Sequence, residues 1–350
     1  MYSIVYQWFI CVSLKIGFSR FQVFVQLINF DITFAAVIIL ILSIVTNKKQ
    51  ILVILGNGFD IAFGLKSSYK DFFESNYWPF PRTSKKDGHR FRTPQWLDSY
   101  LNQRNMEENW YNLESMLAQY GESISEVNED RLKWDRECFQ KLKISLKQFI
   151  TAAKKVSNPG SSNPAVRFLR TISEYRNPII YTFNYTDVVK FADFVGIKGL
   201  SCVHVHGALE GTREIVFGVK DGTKIPDDYD FLRKDSEPTY RSSNMFSDLM
   251  ASKEIVIFGH SLAENDYHYF SRFFQIHSDE NNSYSNNKCS ITIITYNDQS
   301  RANILSNLRK MNNGNIDQLF ALNDFRFLRT EEGNVNAMIE FDDWLNEFQD

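Results

Sequence analysis

The sequence has no two cysteines close enough together to form a recognisable redox or metal motif. Its four cysteines, Cys11, Cys138, Cys202 and Cys289, lie far apart, and none belongs to a Cys-x-x-Cys pair. This spacing argues against a disulfide framework and against a structural zinc module. A reducing cytoplasmic compartment is therefore the expectation.

The sequence also has little net charge of either sign. A formal net charge of −3 is too small, and has the wrong sign, for a surface that binds nucleic acid. No nucleic-acid partner is therefore expected. Hydrophobic residues make up 43% of the chain, with 30 Phe and 16 Tyr, which excludes a disordered protein.

The N-terminal segment, residues 1–47, is poor in charged residues. Its apolar run from Ile32 to Val45 is shorter than the ~20 residues that span a bilayer, and the segment lacks the start and cleavage site of a signal peptide. Three interpretations remain open: a short membrane tether or re-entrant hairpin, an appendage buried on a partner, and translated upstream sequence without a function. A tether followed by Lys48 and Lys49 would hold the main domain, residues 48–350, at the inner face of the cytoplasmic membrane.

Apolar runs that alternate with helical patterns predict an α/β fold, Rossmann-like, with a largely parallel sheet. After a first run at Ile51, the predicted strands are Ile179 to Phe183, Ser201 to Val205, Ile215 to Val219, Ile255 to Phe258 and Ile291 to Thr295. Residues 98–157 have helical spacing and predict a helical insertion. The charged, turn-rich segment from Asp221 to Thr239 predicts a surface loop or lid.

Two of the predicted strands end in glycine turns. Gly56-Asn57-Gly58-Phe59-Asp60 follows the first strand, and Gly259-His260-Ser261 follows the strand at Ile255. Ligands of open parallel sheets bind beyond the carboxyl ends of the strands, and glycine lets backbone N–H groups approach a phosphate. The turns therefore predict a nucleotide site. The alternative is that each turn is tight for packing alone, since Ile61 stands where a dinucleotide fingerprint has its third glycine.

Polar residues follow two other strand ends. Asn184, close to Thr182, has an amide that can hold a water or a ribose hydroxyl, or cap the helix that begins near Asp187. His206 is a candidate general base, because an imidazole titrates near pH ~6.5. His204 precedes it by two residues and would share its face of a strand.

Other candidates each have a structural alternative. Ser261 sits in a turn like a nucleophile elbow, but no acid and histidine follow it at the required positions. Ser261 with Glu264 fits a capping box instead, which leaves the turn before it to contact a nucleotide. Glu114 and Asn297 could bind an adenosine ribose, or belong to a solvated helix face and a helix cap respectively.

A metal site is a further alternative. His204 and His206 could bind an ion together with three later residues, His260, Asp266 and His268. Their spacing matches no strong zinc motif, so no residue is assigned to a metal.

Four motifs in this order resemble the AbiH abortive-infection family, over about residues 50 to 345. They are LGNGFDIAFGLKSSYKDFF at 55–73, YTFNYTDVV at 181–189, HVHGALEG at 204–211 and IVIFGHSLAENDYHYF at 255–270. The N-terminal segment lies outside the resemblance.

AbiH proteins are in turn similar to the sirtuin-like fold, a Rossmann-type NAD-binding domain whose members include NAD-hydrolysing antiphage effectors. This resemblance implies that Gly56 and Gly58 lie at the phosphates, that Asn184 lies at the nicotinamide ribose, and that His206 is the catalytic histidine. It also implies an adenosine side lined by Gly259, Ser261 and Asn297. The remaining predicted cofactor-binding residues are Asn57, Asp60, Thr182 and Asp266. The four-cysteine zinc module of deacetylating sirtuins is missing, which disfavours protein deacetylation.

The leading hypothesis is an antiphage protein that hydrolyses the nicotinamide–ribose bond of NAD or NADP, with the nucleotide as substrate and no prosthetic group. A second hypothesis is a non-catalytic sensor of NAD or an ADP-ribose-type nucleotide that acts on a partner or a membrane. A metal-dependent hydrolase is the third. The expected partners, besides the nucleotide, are a second copy of the chain, a phage-derived activator, and a membrane contacted through residues 1–47.

Overall fold

The computed structural model describes residues 51–81, 96–104, 113–153, 159–175, 178–209, 214–237, 244–281 and 288–347. The N-terminal segment and its predicted tether lie outside the described residues. Among the residues that the structure describes, no helix combines the length and the apolar character that crossing a membrane requires.

Six parallel strands form one sheet. They are β1 (Ile51–Leu55), β2 (Ile179–Thr182), β3 (Val203–His204), β4 (Glu254–Phe258), β5 (Ser290–Thr295) and β6 (Asp324–Arg329). Their order is β3-β2-β1-β4-β5-β6, and every neighbouring pair is parallel. This is the doubly wound order of Rossmann folds, in which the direction of winding reverses between β1 and β4. The predicted α/β fold with a parallel sheet is confirmed.

Two predicted strands differ from the structure. Residues 215–219 form no regular strand, because Gly218 has a φ of +152° and Val219 makes only an isolated bridge to Arg233. The strand predicted from Ser201 to Val205 is shortened to the two residues of β3. β6 was not predicted from the sequence. It is an edge strand in which charged and apolar residues alternate, and its residues are mostly half-buried or exposed.

The described helices follow the predicted alternation with strands. They are α1 (Asn57–Phe63), α2 (Tyr69–Glu74), α3 (Leu97–Arg104), α4 (Leu113–Glu122), α5 (Glu129–Ala153), α6 (Pro164–Ser173), α7 (Val188–Phe194), α8 (Met245–Ala251), α9 (Tyr267–Ile276), α10 (Asp298–Met311), α11 (Ile316–Leu322) and α12 (Val335–Glu347). Two short 3-10 helices span Asp227–Leu232 and Glu264–Asp266.

The apolar side chains form three cores. Alternate residues of β1 point to opposite faces of the sheet, so Val53 packs with α1, α6, α7 and α12, whereas Ile54 packs with α8 to α11. The third core lies away from the sheet. It joins α2 to α5 with the segment of residues 215–232. The helices of the predicted insertion therefore share a core with the predicted lid.

One buried carboxylate connects the elements of the third core. Asp135 of α5 is 0% exposed, and its Oδ1 accepts a hydrogen bond from the backbone N–H of Leu97 at 2.8 Å. Its Oδ2 accepts hydrogen bonds from the hydroxyl of Tyr229 at 2.9 Å and from that of Tyr120. Arg131 supplies a positive charge at 3.6 Å. This network fixes the 3-10 helix that carries Tyr229, and with it the chain that follows.

The turns after β1 and β4 touch through their backbones. The N–H of Gly58 donates to the carbonyl of Gly259 at 2.9 Å. A Cβ on Gly58 would lie 2.7 Å from the Cα of Gly259, and a Cβ on Gly56 would lie 2.5 Å from the Cα of His260. Packing of one turn against the other therefore requires glycine at these positions.

We expect Gly259→Ala to be strongly destabilising, because Gly259 has a φ of +67° and its added Cβ would lie 2.2 Å from the backbone N of Phe59. The left-handed conformation alone costs ~1–2 kcal/mol, and overpacking adds ~1–3 kcal/mol. Gly314→Ala is the matched control, since Gly314 has a φ of +86° with nothing within 4 Å of an added Cβ. Urea unfolding of both variants measures the difference; equal losses would contradict the close contact of the turns.

Candidate functional site

Asn184 joins the carboxyl ends of β1 and β2. Its side-chain Nδ2 donates to the carbonyl of Gly56 at 3.0 Å and to Oδ1 of Asp60 at 2.7 Å. The other oxygen of Asp60 accepts from the hydroxyl of Thr186 at 2.6 Å. The backbone N–H of Asn184 donates to Oγ1 of Thr182 at 3.1 Å. Four buried polar residues from two strand ends therefore hold one another in place.

The suggestion that Asn184 caps the helix near Asp187 is wrong. Asp187 itself caps α7, and its Oδ1 accepts from the backbone N–H groups of Val189 at 3.0 Å and Lys190 at 3.2 Å. The side chain of Asn184 bonds to the β1 turn instead.

A second group of polar residues, which we name the buried ionic cluster, consists of Glu114, His206, Lys234, His260 and Asp266. Lys234 lies at its centre with a side chain 3% exposed. Its Nζ is 2.8 Å from Oε2 of Glu114, 3.5 Å from Nε2 of His206 and 3.7 Å from Oδ1 of Asp266. The ammonium thus bridges two carboxylates and an imidazole.

The members of the buried ionic cluster come from distant parts of the chain. Glu114 belongs to α4, Lys234 follows the 3-10 helix Asp227–Leu232, and Asp266 ends the short helix before α9. His206 lies just beyond β3, where its carbonyl accepts from the N–H of Val216 at 2.7 Å. The cluster therefore ties the third core to the carboxyl ends of the sheet strands.

Burial and Lys234 decide the charge states in the cluster. Burial, aided by Lys234, lowers the pKa of His206 to about 3, so this imidazole is neutral at neutral pH. Burial alone would raise the pKa of Asp266, but Lys234 and the two histidines hold it well below its usual range. Burial raises the pKa of Glu114 above its ordinary value, against the opposite effect of Lys234.

The turn after β4 orients His260. The N–H of Leu262 donates to Nδ1 of His260 at 3.0 Å, which leaves the proton on Nε2, 3.3 Å from Oδ2 of Asp266. Leu262 is fully buried and has a φ of +49°, a strained conformation for a leucine. Such strain is typical of functional sites, where surrounding contacts over-determine the backbone.

Aromatic side chains surround the cluster. The ring of Phe183 meets those of His206 and His260 edge-on, with centroids 5.1 and 4.3 Å apart. Tyr69 and Tyr185 are half-buried residues, and burial of their hydroxyl groups raises their pKa well above the usual value; Glu114 and Asp266 contribute to both shifts. The two histidines of the cluster therefore lie against an aromatic ring, with further aromatic residues nearby.

Three predicted site residues belong neither to the Asn184 network nor to the buried ionic cluster. Asn57 is exposed and its Oδ1 accepts from the hydroxyl of Ser67 at 2.6 Å. Asn297 caps α10 and accepts from the N–H of Ser300 at 3.0 Å. Ser261 is exposed, and the capping box expected with Glu264 is wrong, because no side chain caps the 3-10 helix that begins at Glu264.

The five residues of the suggested metal site do not all come together: His206, His260 and Asp266 meet in the buried ionic cluster, whereas His204 lies apart. His204 ends β3, and its ring nitrogens face the carbonyl of Asn184 and the thiol of Cys202. His206 lies beyond the strand in the buried ionic cluster, so the two histidines do not share a strand face. Lys234 already supplies a cation beside His206 and Asp266. A second cation there would meet strong repulsion.

Lys234 and Thr186 were not predicted as site residues from the sequence. Lys234 lies in the predicted surface loop, yet it is buried, as are Thr223 and Leu232 of the same segment. Glu114 is likewise buried rather than on a solvated helix face. A lysine in a charged loop gives no sequence signal of burial, since most such lysines face solvent.

We expect Lys234→Met to destabilise the protein by ~3–5 kcal/mol, because it leaves two buried carboxylates without their cation. Adding Glu114→Gln should restore part of the loss. The matched control is Lys147→Met, which removes a pair with Glu214 whose side chains are 39% and 65% exposed. That pair contributes ~0–1 kcal/mol. Urea unfolding of the three variants would contradict the assignment if Lys234→Met cost no more than the control.

The lowered pKa of His206 predicts a pH-dependent stability. Between the ordinary histidine pKa of ~6.5 and the folded value, the unfolded chain binds a proton that the folded chain does not. Stability therefore falls with decreasing pH, by up to ~1.4 kcal/mol per pH unit from this group. His206→Gln should flatten the dependence between pH ~6.5 and ~5 in urea unfolding series. Identical slopes for wild type and variant would show that His206 titrates normally.

Comparison with known proteins agrees with the motifs. Residues 52–286 match the family described as bacteriophage abortive infection AbiH, whereas no curated protein matches the chain. The matched residues include every member of the buried ionic cluster and the Asn184 network. The match covers most of the sequence, and the chain belongs to the AbiH family of bacteriophage abortive-infection proteins.

Proposed function

We propose that this abortive-infection protein binds NAD above the carboxyl ends of β1 to β4 and hydrolyses its nicotinamide–ribose bond. The observation that carries the proposal is the gathering of polar groups at the point where the sheet reverses its winding. The Asn184 network lies at the ends of β1 and β2, and the buried ionic cluster joins His206, beyond β3, to His260 and Asp266, beyond β4. In open α/β sheets this is the place where nucleotides bind. Loss of NAD would then stop the growth of an infected cell.

The charges of the cluster suit this reaction. Water adds to C1′ of the ribose, nicotinamide leaves with the bonding electrons, and one proton is released. Positive charge builds up on the ribose in the transition state. The ionised carboxylate of Asp266 would stabilise that charge, and more strongly in an enclosed site than in water.

Asn184 and His206 have the predicted catalytic roles. The Nδ2 atom of Asn184 is held by Gly56 and Asp60, which leaves its Oδ1 to accept a hydrogen bond from a ribose hydroxyl or the attacking water. His206 is neutral. Because the ammonium of Lys234, which can only donate, lies 3.5 Å from Nε2, we assign the lone pair to Nε2, which can accept the proton of that water once Lys234 has moved. Asp266, 3.6 Å from Nε2, would stabilise the imidazolium.

Lys234 would restrain the enzyme before infection. Its ammonium occupies the position beside Asp266 where cationic charge would develop, and it lowers the pKa of His206. If the segment that carries Lys234 moved away, the basicity of His206 would rise and Asp266 would become its main charged neighbour. A phage-derived activator that displaces this segment would therefore switch on the reaction.

The closed site also supports a second candidate, a sensor that binds NAD or an ADP-ribose-type nucleotide without turnover. His206 is 5% exposed and Lys234 fills the centre of the cluster. Such a protein would respond to nucleotide by moving the Lys234 segment and acting on a partner or a membrane. Ligand-dependent assembly without release of nicotinamide distinguishes it from the enzyme.

We expect the purified full-length protein to release nicotinamide from NAD at a slow basal rate, because Lys234 restrains it. His206→Asn should lower this rate about 10²–10⁴-fold, as is typical for loss of acid–base catalysis. Asn184→Ala should lower it as well, because the ribose or the attacking water is no longer positioned. His277→Asn is the control, because His277 is buried elsewhere, against Asn323. Chromatography of the products measures the rate.

The double variant Lys234→Met/Glu114→Gln separates a restrained enzyme from an inactive one. It should release nicotinamide faster than wild type, since the restraining cation is gone. If neither protein releases nicotinamide while NAD still raises the melting temperature, the sensor replaces the enzyme. If NAD has no effect on either protein, the nucleotide site itself is refuted.

A further inference from the structure

Three potential metal ligands meet at the β3 edge of the sheet, outside the buried ionic cluster. They are Asp187, Cys202 and His204, whose ligand atoms all lie within 4.8 Å of one another. The Sγ atom of Cys202 is 3.7 Å from Nε2 of His204. Among the described residues this is the one group of histidine, cysteine and carboxylate side chains with such close spacing.

The imidazole of His204 is oriented as a metal ligand. Its Nδ1 lies 3.2 Å from the carbonyl oxygen of Asn184. Because a carbonyl can only accept, Nδ1 carries the proton and Nε2 has its lone pair towards Cys202. Histidines that bind metals typically donate their other ring N–H to a carbonyl or a carboxylate in this way.

The distance between sulfur and nitrogen fits a shared ion. Zinc bonds of ~2.3 Å to sulfur and ~2.0–2.1 Å to nitrogen, at a tetrahedral angle, place the two atoms about 3.6 Å apart. The separation of 3.7 Å is therefore nearly that of a coordinated pair. A carboxylate oxygen of Asp187 lies within 4.8 Å of both atoms.

The Asp187 carboxylate can cap the helix and bind an ion at the same time. Its Oδ1 accepts from the N–H groups of Val189 and Lys190 as the cap of α7. A carboxylate has a second oxygen, and ligating carboxylates are commonly hydrogen-bonded in this manner.

The state of Cys202 argues against a catalytic thiol. Burial, with a contribution from Asp187, raises the pKa of the Cys202 thiol to about 12. A thiol that stays protonated at neutral pH is a poor nucleophile. A divalent cation reverses this effect, since a coordinating thiol loses its proton to solvent.

We propose that Asp187, Cys202 and His204 form a binding site for a divalent transition-metal ion of the zinc class, with one coordination position left to water. The mixture of thiolate, imidazole and carboxylate selects such ions over Mg²⁺ and Ca²⁺, which prefer oxygen ligands alone.

The bound ion would strengthen a weak edge of the sheet. β3 has two residues and pairs with β2 alone, while Val203 is 43% exposed. An ion bound by Cys202, His204 and Asp187 together would link this strand to the start of α7. They would also fix His204 against the carbonyl of Asn184, and so steady the residue that bonds to the β1 turn.

Cobalt binding tests the site. We expect the chelator-treated full-length protein to bind a single Co²⁺ with the near-ultraviolet absorption of a cobalt–thiolate bond. Cys202→Ser should abolish this absorption, and His204→Asn and Asp187→Asn should weaken binding, the last without loss of the helix cap because Asn is also a good cap. Cys289→Ser is the matched control, since Cys289 is buried near the carbonyl of Ser252, away from the site.

A stability measurement distinguishes the loss of metal binding from a failure of the variant to fold. Zn²⁺ should raise the melting temperature of wild type and Cys289→Ser, and should leave that of Cys202→Ser unchanged, while circular dichroism shows all three folded. The proposal is overturned if Cys202→Ser keeps the cobalt absorption, or if wild type binds neither ion. No readout depends on NAD, so failure here leaves the proposed reaction unaffected.

Discussion

The backbone contact between the turns after β1 and β4 determines where every polar group above the sheet can lie. Because Gly58 and Gly259 have no side chains, the two turns meet directly at the point where the sheet reverses its winding. Asn184 is bonded to one turn through Gly56, and His260 continues the other. The Asn184 network and the buried ionic cluster are thus anchored on the two sides of one contact.

The buried ionic cluster requires charged groups to lose their hydration, which is unfavourable in free energy. Well-packed apolar side chains in place of buried ion pairs are often equally or more stabilising. A cluster of two carboxylates, one ammonium and two imidazoles is therefore not explained by stability alone, which agrees with the proposed function. Lys234 has two effects in this cluster: it neutralises the carboxylates, and it helps to keep His206 uncharged.

Sequence patterns predicted the parts of the molecule that depend on local chemistry. Continuous apolar runs identified β1, β2, β4 and β5, and strand-end reasoning selected Asn184 and His206. The failures required knowledge of distant contacts. Lys234 is buried in an ion pair with Glu114, which lies far away in sequence. Ser261 forms no capping box because the 3-10 helix begins only at Glu264, with Ala263 at its N-cap. The edge strand β6 has too few apolar residues to stand out.

The wide separation of Glu114, Lys234 and Asp266 along the chain has a consequence for synthesis on the ribosome. α4 emerges first. Its residue Glu114 can join the cluster only after Lys234 and then the segment after β4 have been synthesised. β1 likewise gains its neighbour β4 only late in translation. A chain that terminates before β4 lacks His260 and Asp266 and cannot assemble the cluster, so under the proposed function premature termination yields an inert fragment instead of an unregulated one.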